Sequence, residues 1–144
     1  MMFITPHFTL AEMTVSQVAA REGLSNEPGP QALANLDLLC QALEEVRELC
    51  HAPILISSGF RSPAVNQRVG GARNSAHLSG LAADFNVVEI EPREVVQRIL
   101  DSDLMFDQLI LEYDSWVHLA VAVQTPRREV LTVRRGSGYL QGLH

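Results

Sequence analysis

His77 and Asp84 stand seven residues apart, with Gly80, Ala82 and Ala83 between them, and His118 follows inside an apolar run, Trp116-Val117-His118-Leu119-Ala120. Two imidazoles and a carboxylate are ligands that Zn²⁺ accepts. Three protein ligands leave a fourth tetrahedral position for water, the arrangement of a catalytic rather than a structural zinc site. The chemistry open to such a centre is hydrolysis, because the ion acidifies water and polarises a carbonyl. The spacing excludes the i, i+4 helical pair of H-E-x-x-H. It suits a turn at Gly80, where glycine can supply positive φ or let backbone pass close to the ion. Asp84 would then enter a strand, and His118 would come from a neighbouring one.

Hydrolysis of a peptide bond also needs a group that takes a proton from water and returns it to the leaving amine. Glu112 and Asp114 precede His118 by six and four residues and are the two candidates. Trp116 lies two residues from His118, hence on the same strand face, and would wall the pocket or pack beside the ligand. Ser75 would orient the His77 loop or contact substrate, or serve as a simple cap. His7, His51 and His144 stand outside any such pattern.

The string Ser75-x-His77-x-x-Gly80-x-Ala82-x-Asp84, followed by Trp116-x-His118, resembles the signature of the M15 zinc peptidases. That family includes D-alanyl-D-alanine carboxypeptidases and dipeptidases and phage cell-wall endopeptidases, and shares its fold with the hedgehog signalling domain. Ser58-Gly59-Phe60-Arg61-Ser62, Asn66 and Gly70-Gly71 resemble the segment before the first His. His7-Phe8-Thr9-Leu10-x-Glu12 and Ser25-Asn26-x-Pro28 resemble the N-terminal part of short bacterial and phage members. The resemblance implies zinc held by His77, Asp84 and His118, with Arg61 binding the substrate's carboxylate or polarising its carbonyl. Many of these peptidases carry the acidic base three residues before the second His, where this chain has Ser115, whereas hedgehog-type domains carry a glutamate six before it. The base is therefore expected at Glu112, with Asp114 as the alternative.

The elements that must position these residues can be read from periodicity. Thr14-x-x-Gln17 has the form of a capping box for a short helix ending near Gly23. Leu33, Leu36, Leu39, Leu43 and Val46 recur at steps of three and four, predicting a long amphipathic helix from Pro30 to about Cys50. Cys40 and Cys50 fall in or next to it, about 15 Å apart along a helix, too far for a disulfide. Ile54-Leu55-Ile56 reads as a strand, Ser62-Pro63 as a helix start and Pro92 as another. Residues 105–111 and 116–123 predict a hairpin, 129–133 a further strand, and 134–144 a tail. The expected fold is α+β: a small, mainly antiparallel sheet with flanking helices and the zinc in a groove on the sheet, in one domain spanning 1–144.

The chain's 144 residues are the size of one ordinary domain, and its 47% hydrophobic content is that of a globular protein. A net charge of −6 argues against a nucleic-acid partner. No apolar run reaches membrane-spanning length. The first residues lack a basic stretch and a long apolar stretch, so no secretory signal is expected; the protein would act on the wall after release or delivery. The leading expectation is a zinc-dependent peptidase acting on peptidoglycan stem peptides, either a carboxypeptidase or an endopeptidase. The alternative is a non-catalytic, zinc-containing module that binds cell wall or protein, including a phage structural component.

Overall fold

The computed structural model describes residues 2–144. A small antiparallel ribbon, β1 (Phe3–Thr5) and β2 (Phe8–Thr9), leads into the single-turn helix α1 (Leu10–Met13). The Thr9 hydroxyl accepts the Glu12 N–H at 3.1 Å and the Glu12 carboxylate accepts the Thr9 N–H at 3.0 Å, which is a reciprocal capping box. The box expected at Thr14-x-x-Gln17 does not form. Helix α2 (Gln17–Glu22) starts at Gln17 itself, so its cap is Ser16, whose hydroxyl accepts the Ala19 N–H. Gly23, in the left-handed region, ends it as expected.

Helix α3 (Pro30–Cys50) buries Leu36, Leu39, Cys40, Leu43, Val46 and Cys50 along one stripe. Both cysteines are free and buried on this one unbroken helix. Strand β3 (Ile54–Ser58) follows, then α4 (Pro63–Arg68), whose N-cap is Ser62, and a 3-10 turn at Ala76–Ser79. The remaining elements are β4 (Ala82–Val87), α5 (Pro92–Leu100), β5 (Gln108–Glu112), β6 (Trp116–Ala120), β7 (Glu129–Arg134) and β8 (Gly138–Gln141).

The larger sheet has the order β3-β4-β6-β5-β7-β8. Every neighbouring pair is antiparallel except β5 and β7, which run parallel. The class is thus α+β with a mainly antiparallel sheet. One face of the sheet takes Ala83, Phe85, Leu109, Leu111, Val117 and Leu119 into a core shared with α3 and α5. Full burial of each large side chain contributes roughly 1.5–3 kcal/mol. Because strand side chains alternate, the other face of these strands is free to carry polar groups.

Residues 134–144, expected as a tail, contain β8. Its pairing with β7 runs from Leu131↔Gln141 to Arg134↔Gly138. Thr132 fastens the end further, its hydroxyl donating to the Gly142 carbonyl at 2.8 Å and accepting the His144 N–H at 3.1 Å. All four β8 residues are exposed, so no alternation of apolar and polar residues marks the strand in the sequence.

Candidate metal centre and catalytic cleft

Strands β4 and β6 pair with Asp84 directly opposite His118, which puts both side chains on one face of the sheet. The 3-10 turn brings in His77 from beneath. Gly80 ends that turn at φ +73°, and a Cβ there would sit 2.7 Å from the Ala32 carbonyl on α3, so the reversal needs glycine twice over. Ala82 and Ala83 precede Asp84 and are both fully buried.

Among the described residues, one group of His, Cys, Asp or Glu has converging ligand atoms: His77, Asp84 and His118, all within 4.8 Å of one another. His77 Nδ1 lies 2.7 Å from the Gly59 carbonyl. A carbonyl only accepts, so Nδ1 carries the proton and Nε2 is left with its lone pair. That Nε2 is 3.4 Å from Asp84 Oδ2, and His118 Nδ1 is 2.9 Å from Asp84 Oδ1. A tetrahedral zinc with bonds of about 2.0–2.1 Å holds its donors about 3.3 Å apart. The three donors fit a zinc ion in chemistry, and each imidazole lies close to one oxygen of the carboxylate they share. The backbone hydrogen bond that fixes the His77 tautomer is the orienting contact that metal-bound imidazoles require. Burial disfavours the Asp84 carboxylate, but whenever the His118 and His77 rings are protonated their hydrogen bonds, and then their charges, hold its carboxyl well below the usual range.

The trio lies in a cleft of about 600 Å³ that also takes in Arg61, Glu112, Trp116 and Tyr139. Arg61 is clamped on three sides: Nε donates to Ser58 Oγ at 3.1 Å, Nη1 to Asn66 Oδ1 at 3.3 Å, and Nη2 to Asp84 Oδ2 at 3.3 Å. One N–H on each Nη is left over. Asn66, buried on α4, also donates to the Ala72 carbonyl. A Cβ at Gly71 would collide with this pair, 2.1 Å from Asn66 Oδ1 and 3.0 Å from Arg61 Nη1. Asn66 is thus the group that aims Arg61. The sequence marks Asn66 as part of the resemblance, without assigning it to the site.

The two acidic candidates fall in different surroundings. Glu112 ends β5 opposite Trp116 and faces the cleft. Burial raises its carboxyl above the usual range and the Asp84 charge adds to this, while His118, the Trp116 indole N–H and Arg61 pull the other way. Asp114 sits on the β5–β6 turn, exposed and paired with Arg134 at 2.8 Å, outside the cleft lining. The Trp116 Nε1–H is buried with no hydrogen-bond partner. It lies near enough to Glu112 to favour the charged carboxylate, but not in hydrogen-bond geometry. Ser75 Oγ accepts the His77 N–H at 3.2 Å, which is the cap role, and Ser75 also borders the cleft. His7 is elsewhere, its Nδ1 2.7 Å from Glu44 Oε1 on the surface.

A cleft on a mixed sheet in which His77, Asp84 and His118 converge is the kind of site that a metal-assisted hydrolase uses. The chain belongs to the peptidase family whose model, described as Peptidase M15, matches residues 6–120. The chain is accordingly a peptidase by class, and every candidate site residue from Arg61 to His118 falls within the match. No curated protein matches the chain.

Proposed function

We propose that this protein is a zinc-dependent peptidase of bacterial peptidoglycan, cutting a peptide bond of the stem or cross-link. One observation carries the reading: three zinc-type donors converge in a cleft that also holds a half-buried carboxyl, Glu112, and a clamped guanidinium, Arg61. The wall substrate comes from the resemblance to cell-wall peptidases of this family. The proposed architecture is a single hedgehog-like domain over the whole chain.

When bound by His77, Asp84 and His118, zinc supplies the Lewis acidity that makes water nucleophilic near neutral pH. Glu112 takes the proton of the attacking water and returns it to the amine that leaves. Its raised affinity for protons suits a group that must hold a proton between those two events. Arg61 keeps Asp84 in place and offers its two spare N–H groups to a carboxylate or carbonyl of the substrate. Trp116 walls the cleft beside His118, and Ser75 holds the turn from which His77 projects. With Asp114 drawn to Arg134 on the outer surface, Glu112 is the base the geometry favours.

The test is mass spectrometry of muropeptides incubated with zinc-loaded protein. A new stem-peptide fragment, absent with His118→Ala, is the expected result. Intact muropeptides despite stoichiometric zinc would overturn catalysis and favour the non-catalytic binding module.

A further inference from the structure

Strand β8 lies beyond the residues that the family model matches, yet its register brings it to the cleft. Glu112 pairs with Trp116 on β6 and with Val133 on β7, and Val133 pairs with Tyr139 on β8. Directly opposed residues share a face, so Trp116, Glu112, Val133 and Tyr139 make one row across four strands, on the face that carries His118. Val133 is buried in that row, while Tyr139 at its end is 64% exposed. Tyr113, on the neighbouring β5–β6 turn, is 49% exposed and its ring packs on Trp116 with centroids 5.5 Å apart. A cavity of about 610 Å³ is lined by both tyrosines, with Gly136 and Gly138 leaving part of it bare of side chains. Tyr139 borders both this cavity and the catalytic cleft.

We infer that Tyr113 and Tyr139 form an aromatic shelf that binds a sugar ring of the glycan strand alongside the peptide-cleaving part of the cleft. The inference rests on the peptidoglycan reading and deepens it. Stem-peptide side chains carry short alkyl, carboxyl or amine groups, none with a flat apolar face the size of a ring. A pyranose has one, lined by axial C–H groups and edged by hydroxyls. Tyrosine offers the matching surface, an apolar ring with a polar tip, at low conformational cost. Arg134, held by Asp114 through Nε at 2.8 Å and Nη2 at 3.2 Å, supplies a fixed polar edge to the same cavity.

The N-acetylglucosamine tetramer, which carries no peptide, is the probe. Titrated into zinc-loaded protein and followed by NMR, it is expected to bind saturably with its largest shifts at Tyr113, Tyr139 and Trp116. The double variant Tyr113→Ala/Tyr139→Ala should bind at least about tenfold more weakly, since aromatic contacts of this size carry that order of affinity. Tyr113→Phe/Tyr139→Phe, which keeps both rings, should retain the binding, and the alanine variant's own amide spectrum shows whether it is folded. No saturable binding, shifts confined to other regions, or undiminished binding by a folded alanine variant would each overturn the shelf. Because the probe has no peptide bond of a stem, these outcomes are independent of whether muropeptides are cleaved.

Discussion

The two faces of the central strands differ in what they tolerate, although they alternate residue by residue along the same backbone. On β6, Val117 and Leu119 are fully buried against α3 and α5, whereas Trp116 and His118, which alternate with them, face the cleft. On β5, Leu109 and Leu111 do the former and Ile110 and Glu112 the latter. The core face is redundant, since many apolar contacts share the load. The cleft face is not, since each polar group has one or two partners and one task. Stability and chemistry are therefore separable by a step of one residue.

Substitutions can break that comparison or sharpen it. His118→Ala removes one of the three proposed ligands, and should lose both bound zinc and turnover while circular dichroism stays native. A folded variant that keeps stoichiometric zinc would undo the ligand assignment. Glu112→Gln should lower kcat roughly 10²–10⁴-fold, the usual worth of a positioned base, with zinc retained. The folded Glu112 carboxyl binds its proton more tightly than an unfolded one, so its ionisation above the normal glutamate pKa opposes folding. Removing that ionisation should leave the melting temperature at neutral pH equal or higher; a clear fall would show that Glu112 is structural.

On the core face, Leu109→Ala should cost about 2–5 kcal/mol of stability, read by urea unfolding, with near-normal turnover per folded molecule. A proportionate loss of kcat at full folding would mean that the two faces are coupled. Burial, helped by the charges of Asp37, Glu44 and Glu12, pushes the Cys40 thiol up to about 12. The native thiol should therefore resist iodoacetamide at pH 8. Its contribution to stability is complete below the unfolded value near 9.0 and is lost as pH rises from there toward 12. Smallest of all, Asp114→Asn should leave turnover unchanged, because its carboxylate serves the Arg134 pair on the surface. A loss comparable to that of Glu112→Gln would move the base to Asp114.

The parts of the molecule legible in the sequence are those where local pattern and final structure agree. The stripe from Leu36 to Val46 yields a helix with the expected bounds, and the spacing around Gly80 yields a turn feeding a strand. The grouping of His77, Asp84 and His118 was legible because their types, order and spacing match the signature of a known zinc-peptidase family. What escaped is set by tertiary contact. Ser16, not Thr14, caps the helix that ends at Gly23, because that helix starts at Gln17, and the capping box falls one helix earlier, at Thr9 behind the β1–β2 ribbon. Strand β8 exists through its pairing with β7, so Tyr139 looked like part of a tail. The clamp of Arg61 by Asn66 and Ser58 joins residues whose short separations say nothing of a shared target.

The contacts that hold His77 bear on how the proposed zinc would be acquired. Its ring is fixed by the Gly59 carbonyl, and its own carbonyl accepts the Arg61 N–H at 3.0 Å; neither bond involves a ligand lone pair. The socket is thus preorganised by backbone belonging to the fold, unlike small zinc domains whose folding energy is the binding energy of the metal. Chelation should extinguish turnover while leaving a cooperatively melting protein, and readdition of zinc should restore activity on the timescale of mixing rather than refolding.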